Sequence, residues 1–337
     1  MKSRWARYTA YTGIGLFLLA ILFEVSLRAG LGLGTPPLLQ ADSTIGYVFQ
    51  ANQNTYRFTN RVHINGYHQR SENLMTRPDS TFTRILFLGD SVTWGGVLTD
   101  QSQTIPEETE EILDRQCKTP VEVLNASAGS WGIGNLKAYV DRYGLFESDA
   151  VILQIGTHDL VQAKSTGEIV GRHPSYPNEN PTLAIGELGR RYLWPRLQPY
   201  LPEWGSKAQS SNSDTPSNTP EPEARLKQNL DSLRALVGDI QAAETPVVIV
   251  HTPNRGEVVG KIEGPEPSTR RHQFLQVADS MHVPVLNLAQ GWARRSGVKK
   301  FYRDHVHLNE RGNAAVADTL TEFMSGCYHR LCDSSGP

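Results

Sequence analysis

The sequence predicts an α/β protein, a parallel β-sheet with helices covering both faces. Two observations carry this. From Arg84 onward, short apolar runs alternate with stretches of helical periodicity, the pattern of a parallel sheet buried on both sides. The apolar runs also end in Gly, Asp, Ser and Asn, residues that build turns at a strand's end.

The N-terminal element is apolar. Lys2, Arg4 and Arg7 precede the uncharged run "YTAYTGIGLFLLAILF", Tyr8 to Phe23. Glu24 and Arg28 follow, four apart on one helix face, where they can pair. Extended to about Leu33, the stretch is long enough to cross a bilayer, which takes about 20 mostly apolar residues. The basic flank orients that end to the cytoplasm. A cleaved signal peptide is the rival reading, but no A-x-A-like cleavage site follows. Residues 1–34 therefore read as a cytoplasmic tip and a single-pass anchor in the cell membrane, with the body on the extracytoplasmic side. Residues 35–83 are mixed and polar, with strand-like pieces "YRFTN" and "RVHING", and read as a stalk and cap.

The main domain runs over 84–326. Its expected strands are "RILFLG", "VEVLNAS", "DAVILQIG", "TPVVIVHTP" and "VPVLNLA". Helical patterns cover Ile105–Gln116 and Asn135–Leu145, and "LNERGNAAVADTLTEFM" closes the domain. Between the third and fourth strands, residues 205–224 are rich in Ser, Asn, Pro and Thr. They hold too little apolar surface to offset ordering entropy and read as a disordered insertion. Tyr192 to Trp204, "YLWPRLQPYLPEW", reads as an amphipathic cover packed on the core, with sugar stacking as the alternative. Residues 327–337 form a tail.

Composition excludes some functions. With 33 basic and 35 acidic side chains, there is no basic stripe of a nucleic-acid binder. Of the three cysteines, none forms a C-x-x-C pair, so a zinc ribbon or thioredoxin-like site is not expected. An oxidising location allows a Cys327–Cys332 disulfide.

Ligands bind at the carboxyl ends of strands in open parallel sheets. The first strand delivers Gly89-Asp90-Ser91 there, and the second delivers "NASAGSWG". The third delivers "GTHD", and "DHVHLNERG" precedes the final helix. Asp90 and Ser91 could simply cap a helix. Together, however, the four segments supply what acyl transfer needs. These are a serine, a histidine to take its proton, a carboxylate to orient that histidine, and N–H donors for an oxyanion. Asp304, His305 and His307 could instead hold a metal, but no further ligand has matching spacing, and no metal or cofactor is expected.

These segments resemble the SGNH or GDSL hydrolase family over about residues 84–325. "FLGDSVTWG" is similar to the block carrying the nucleophile, "VLNASAGSWG" to the second, "QIGTHDL" to the third, and "DHVHLNERG" to the last. The upstream "INGYHQR" and the anchor resemble membrane-tethered members associated with envelope polysaccharide acylation. The resemblance implies a flavodoxin-like three-layer α/β/α fold. It implies Ser91 as nucleophile, His307 as general base and Asp304 as its orienting carboxylate. The Ser91 and Gly129 amides would be oxyanion donors, with Gly132 as the alternative to Gly129. The third block usually reads G-x-N-D, its Asn donating to the oxyanion. Here His158 stands in that place and is expected to donate a ring N–H. Asp90 and Asp159 are expected to hold turns. The expected activity is that of a serine esterase or acyltransferase on a small O-acyl ester of an envelope carbohydrate, with acetyl as the expected acyl group. The alternative is a non-catalytic carbohydrate-binding or assembly protein on the same scaffold.

Overall fold

Five of the apolar runs form one parallel sheet in this computed structural model, which describes residues 2–76, 82–200, 221–260 and 266–327. In chain order, helix α1 (Lys2–Leu31) precedes two hairpins, β1 (Leu39–Asp42) with β2 (Gly46–Phe49) and β3 (Gln53–Arg57) with β4 (Asn60–Ile64). The sheet strands are β5 (Thr83–Gly89), β6 (Val121–Ser127), β7 (Ala150–Gly156), β8 (Val247–Thr252) and β9 (Val285–Asn287). Helices α2 (Ser91–Trp94), α3 (Ile105–Gln116) and α4 (Ile133–Tyr143) lie among the first three. Helices α5 (Ala184–Glu187), α6 (Trp194–Leu197) and α7 (Pro222–Ala242) precede β8, followed by α8 (Arg255–Val258), α9 (Glu266–Ser280), α10 (Leu288–Ala293) and α11 (Glu310–Cys327).

The sheet order is β6-β5-β7-β8-β9, all parallel. Counted within the sheet this is 2-1-3-4-5, the flavodoxin-like order. Its ligand crevice lies where the chain changes direction, at the carboxyl end of the first strand. That end is Gly89, immediately before Asp90 and Ser91.

Strand side chains alternate between faces, and the burial follows. Leu86, Leu88, Leu124, Ala126, Val151 and Leu153 enter one core, with α4, α7 and α9. Ile85, Phe87, Val121, Val123 and Ile152 enter the other, with α3, α10 and α11. Runs apolar at every position are what such doubly covered strands require.

The hairpins share the first core: Tyr47, Val48, Phe49, Val62 and Ile64 are buried in it. The β3–β4 turn is Phe58-Thr59, both at positive φ (50° and 72°). Hairpin turns of this kind normally take Asn-Gly. Here Phe58 stacks edge-on against Tyr192 with ring centroids 5.6 Å apart, so tertiary packing outweighs local preference. Helix α1 is long and apolar enough to cross a membrane, and its apolar side chains from Trp5 to Phe23 are mostly exposed.

Several expectations change. Most of the insertion expected at 205–224 lies outside the described residues, and its last residues, Pro222 to Ala224, begin α7. Cys327 is free and Cys117 is disulfide-bonded, so the Cys327–Cys332 pairing that an oxidising location allows does not form. Cys332 lies outside the described residues. Among the described residues of the cover at 192–204, Tyr192 packs against a buried cluster. Leu193, Trp194, Leu197 and Tyr200 are exposed, and Trp204 is outside the described residues.

Candidate active site

Asp90 both caps a helix and positions the serine. Strand β5 ends at Gly89, where a Cβ would lie 2.0 Å from Thr93 Oγ1. Asp90 Oδ1 then accepts the Val92 N–H at 2.8 Å, capping α2. The helix lasts one turn and stops at Gly95 in the left-handed region. Ser91 is thereby left at the first position of a short turn above the sheet's edge.

His307 Nε2 lies 2.9 Å from Ser91 Oγ, and His307 Nδ1 lies 2.7 Å from Asp304 Oδ2. The other Asp304 oxygen accepts the Val306 and His307 N–H groups, each at 2.8 Å. Burial opposes the Asp304 charge, but these donors and the imidazole hold its pKa down at about 2. An ionised Asp304 fixes the proton on Nδ1, so Nε2 offers its lone pair to the serine. The loop itself is clasped: Arg303 N–H donates to His307 O at 2.8 Å, and Tyr302 bridges to Leu308. His305 is almost fully exposed, with Nδ1 4.0 Å from Asp304, and does not converge with the others.

Ser91, Asp304 and His307 line a cavity of about 390 Å³ together with Gly129. Phe49, Trp94 and Tyr176 give it aromatic walls, and Arg191 and Arg303 give it charge. The Ser91 and Gly129 amides donate no hydrogen bond among the described residues. Gly132 differs, because its N–H donates to Asn135 Oδ1 at 2.9 Å, so it has no free donor for an oxyanion.

His158 does not face this cavity. Its ring folds over Gly156, where a Cβ would lie 2.6 Å from Cε1. Its Nε2 donates to Asp90 Oδ2 at 2.7 Å, and its Nδ1 is buried without a hydrogen-bond partner. The expected ring donor is thus engaged elsewhere. The reason is charge. Burial disfavours an imidazolium here, but the carboxylates of Asp159 and Asp90 outweigh it and hold the pKa at about 10. Burial and the neighbouring Asp90 charge push Asp159 up to about 8. Burial would raise Asp90 too, yet the His158 cation keeps it below the usual carboxylate range. Both acids also hold turns, Asp90 at Val92 and Asp159 through Oδ2 to the Gly156 N–H at 2.7 Å. Asp90 Oδ2 lies 3.1 Å from Ser91 Oγ as well, so it competes with His307 for the serine proton.

Sequence reasoning missed the residue that shapes one cavity wall. Arg70 is fully buried. It donates to Trp94 O at 2.6 Å, Gly96 O and Thr99 O at 2.7 Å, and Arg61 O at 3.3 Å. Its guanidinium lies 4.6 Å from the Trp94 ring centroid. Among the described residues no carboxylate pairs with it directly, and burial pushes its pKa down to about 9. It pins residues 94–99, five of which line the cavity. The signal was present in "INGYHQR", a polar segment following an alternating strand.

An ionised Asp, a tautomer-fixed His and a Ser in one hydrogen-bonded line, at the carboxyl edge of a parallel sheet, define a serine-hydrolase type of site. The profile of the GDSL-like Lipase/Acylhydrolase family matches residues 87–315, more than half of the chain. The chain belongs to that family of ester hydrolases. Among curated proteins, none matches the sequence. Similar solved structures include the acetyl xylan esterase AlAXEase, at 18% identity and a TM-score of 0.47, covering 71% of this chain and 98% of that one. TesA is similar at 12% identity and 0.46, covering 72% and 99%. The lipase/acylhydrolase from Enterococcus faecalis is similar at 14% and 0.44, covering 73% and 96%.

Proposed function

We propose that this protein is a membrane-anchored serine esterase that removes a small acyl group, such as acetyl, from a carbohydrate of the cell envelope, or transfers it. The observation that carries the reading is the Asp304–His307–Ser91 hydrogen-bond line opening onto the cavity. Ser91 Oγ attacks the ester carbonyl while His307 Nε2 takes its proton, and Asp304 stabilises the imidazolium. The Ser91 and Gly129 N–H groups receive the oxyanion. Collapse expels the alcohol, which takes the proton from His307 and leaves acyl-Ser91. A water or a second hydroxyl, deprotonated by His307, then attacks the acyl carbon and restores Ser91.

The cavity lining supports a small acyl group on a polar alcohol. A long acyl tail needs a continuous apolar wall, whereas Arg191 and Arg303 interrupt this one. The half-buried Tyr176 in the cavity wall suits contact with a sugar ring. The basic flank of α1 supports an extracytoplasmic domain. Fluorophosphonate labelling tests the nucleophile: parent protein is expected to label at Ser91, with acetyl ester hydrolysis lost in parallel. Labelling that persists unchanged in Ser91→Ala overturns the assignment.

A further inference from the structure

We propose that the helical segment 183–200 lies in the lipid headgroup layer beside α1 and forms a second, peripheral contact with the bilayer. This rests on the reading of α1 as a membrane span. The segment runs through α5, a π-helical stretch Leu188–Leu193, α6 and a short 3₁₀ turn to Tyr200.

Its inner side is bolted to the domain. Ala184, with Leu27 and Leu33, forms a small core joined by Phe58, Ile185, Leu188 and Tyr192. Glu187 is buried and ion-paired with Arg57. Its outer side is apolar: Leu183, Leu193, Trp194 and Leu197 are about half exposed and Tyr200 is 86% exposed. Leu193, Leu197 and Tyr200 follow the i, i+4, i+7 spacing of one helix face. Large exposed apolar patches mark interaction surfaces. Arg190 and Arg196 are its exposed cations, Arg191 turns to the cavity and lies 3.6 Å from Glu187, and the segment's only acid, Glu187, is buried. Leucine and tyrosine on one face with tryptophan and arginine beside them is the composition of helices that lie in a membrane interface.

The level of the segment agrees. The uncharged run Tyr8–Phe23 has 16 residues, about 24 Å of helix at about 1.5 Å per residue. A hydrocarbon core of about 30 Å needs about four more residues, which places its far boundary near Leu27 and Arg28. Within about one turn of that level, Glu24 of α1 accepts the Ala184 and Ile185 N–H groups at 2.8 and 3.0 Å. Arg28 donates to Thr182 O at 2.9 Å. The segment therefore starts at the bilayer boundary, held there by the anchor itself.

The test uses the full chain in vesicles of phosphatidylcholine and phosphatidylglycerol, with a Cys327→Ser background and an environment-sensitive fluorophore at one introduced thiol. Leu197→Cys reports on the segment, Leu19→Cys on the anchor and Glu322→Cys on the opposite layer. Brominated acyl chains are expected to quench the Leu19 and Leu197 probes and spare the Glu322 probe, with blue-shifted emission at Leu197. Quenching at Leu19 without quenching or blue shift at Leu197 overturns the peripheral contact and leaves the anchor standing. An unquenched Leu19 probe overturns the anchor and the contact together. Quenching at Glu322 equal to that at Leu197 also overturns the contact, because the segment then has no special place at the bilayer.

Discussion

Replacing His158 with leucine tests the buried pair beneath Ser91. Asp90 is 3% exposed, and its Oδ2 rests 2.7 Å from His158 Nε2. His158→Leu leaves that carboxylate with neutral donors only, the Val92 N–H and the Ser91 hydroxyl. Breaking a buried ion pair from one side costs about 3 to 5 kcal/mol. Proton linkage gives a similar scale. The ring stands at about 10 in the folded protein against about 6.5 in the unfolded chain, and 3.5 × 1.36 gives about 5 kcal/mol as an upper bound. Because the folded pKa is raised, this stabilisation is complete below about pH 6.5 and is lost as pH rises through about 10. Asp159 acts in the same direction, since the folded protein keeps its proton up to about pH 8 while the unfolded chain has released it above about 4. The parent is therefore expected to lose stability between about pH 6 and pH 10, and His158→Leu to lack the part carried by the ring while keeping the part carried by Asp159. Urea unfolding at the two pH values, followed by tryptophan fluorescence, measures both. A double variant, Asp90→Asn with His158→Gln, keeps a neutral hydrogen bond and is expected to recover much of the loss. A His158→Leu protein within about 1 kcal/mol of the parent at about pH 6 refutes the buried-pair account. Turnover should fall as well, because an uncompensated Asp90 holds the serine proton more tightly.

Ser91→Ala is expected to lower kcat for p-nitrophenyl acetate by about a thousandfold or more with unchanged circular dichroism, and parent-like turnover removes Ser91 from the chemistry. Asp304→Asn keeps the shape but frees the other His307 tautomer, so kcat should fall by about 10⁴, read in the same assay. Arg70→Ala leaves four carbonyls short of a donor. It should cost several kcal/mol, since each unmet buried group costs about 1 to 3, and should raise protease cleavage within 94–99; equal protection in parent and variant rejects the clamp. Cys327 is exposed and free, so native protein should take up one maleimide there, and Cys327→Ser should take up none.

The strands were legible because a doubly covered parallel sheet writes itself as continuous apolar runs. "RILFLG" and "DAVILQIG" lie within a residue or two of β5 and β7. The Asp304–His307 pair was legible because a three-residue spacing is local. What stayed hidden depended on distant partners. His158 finds Asp90 across 68 positions, and nothing in "GTHD" names that partner. Arg70 reads as a surface charge until four carbonyls are folded around it. The Phe58-Thr59 turn carries no turn residues, because its conformation is imposed by Tyr192 from far along the chain. The cover at 192–204 has an amphipathic pattern, and a pattern alone does not say whether its apolar side meets a core or another medium.

The junction between α1 and the domain has no slack. Gly32 and Leu33 donate back to Arg28 O and Leu27 O, Gly34 donates to Glu187 Oε2 at 2.6 Å, and Arg57 reaches Gly32 O at 2.7 Å. A loose tether would let a catalytic domain roam over a hemisphere and sample any ester within its radius. A welded joint does the opposite: with α1 in a bilayer, tilt and altitude are set together, and Ser91 is held at one fixed height. Selectivity then acquires a mechanical part, in which an ester is accepted partly for the distance from the membrane at which it is presented. Lengthening the joint with a flexible insert would trade that ruler for reach.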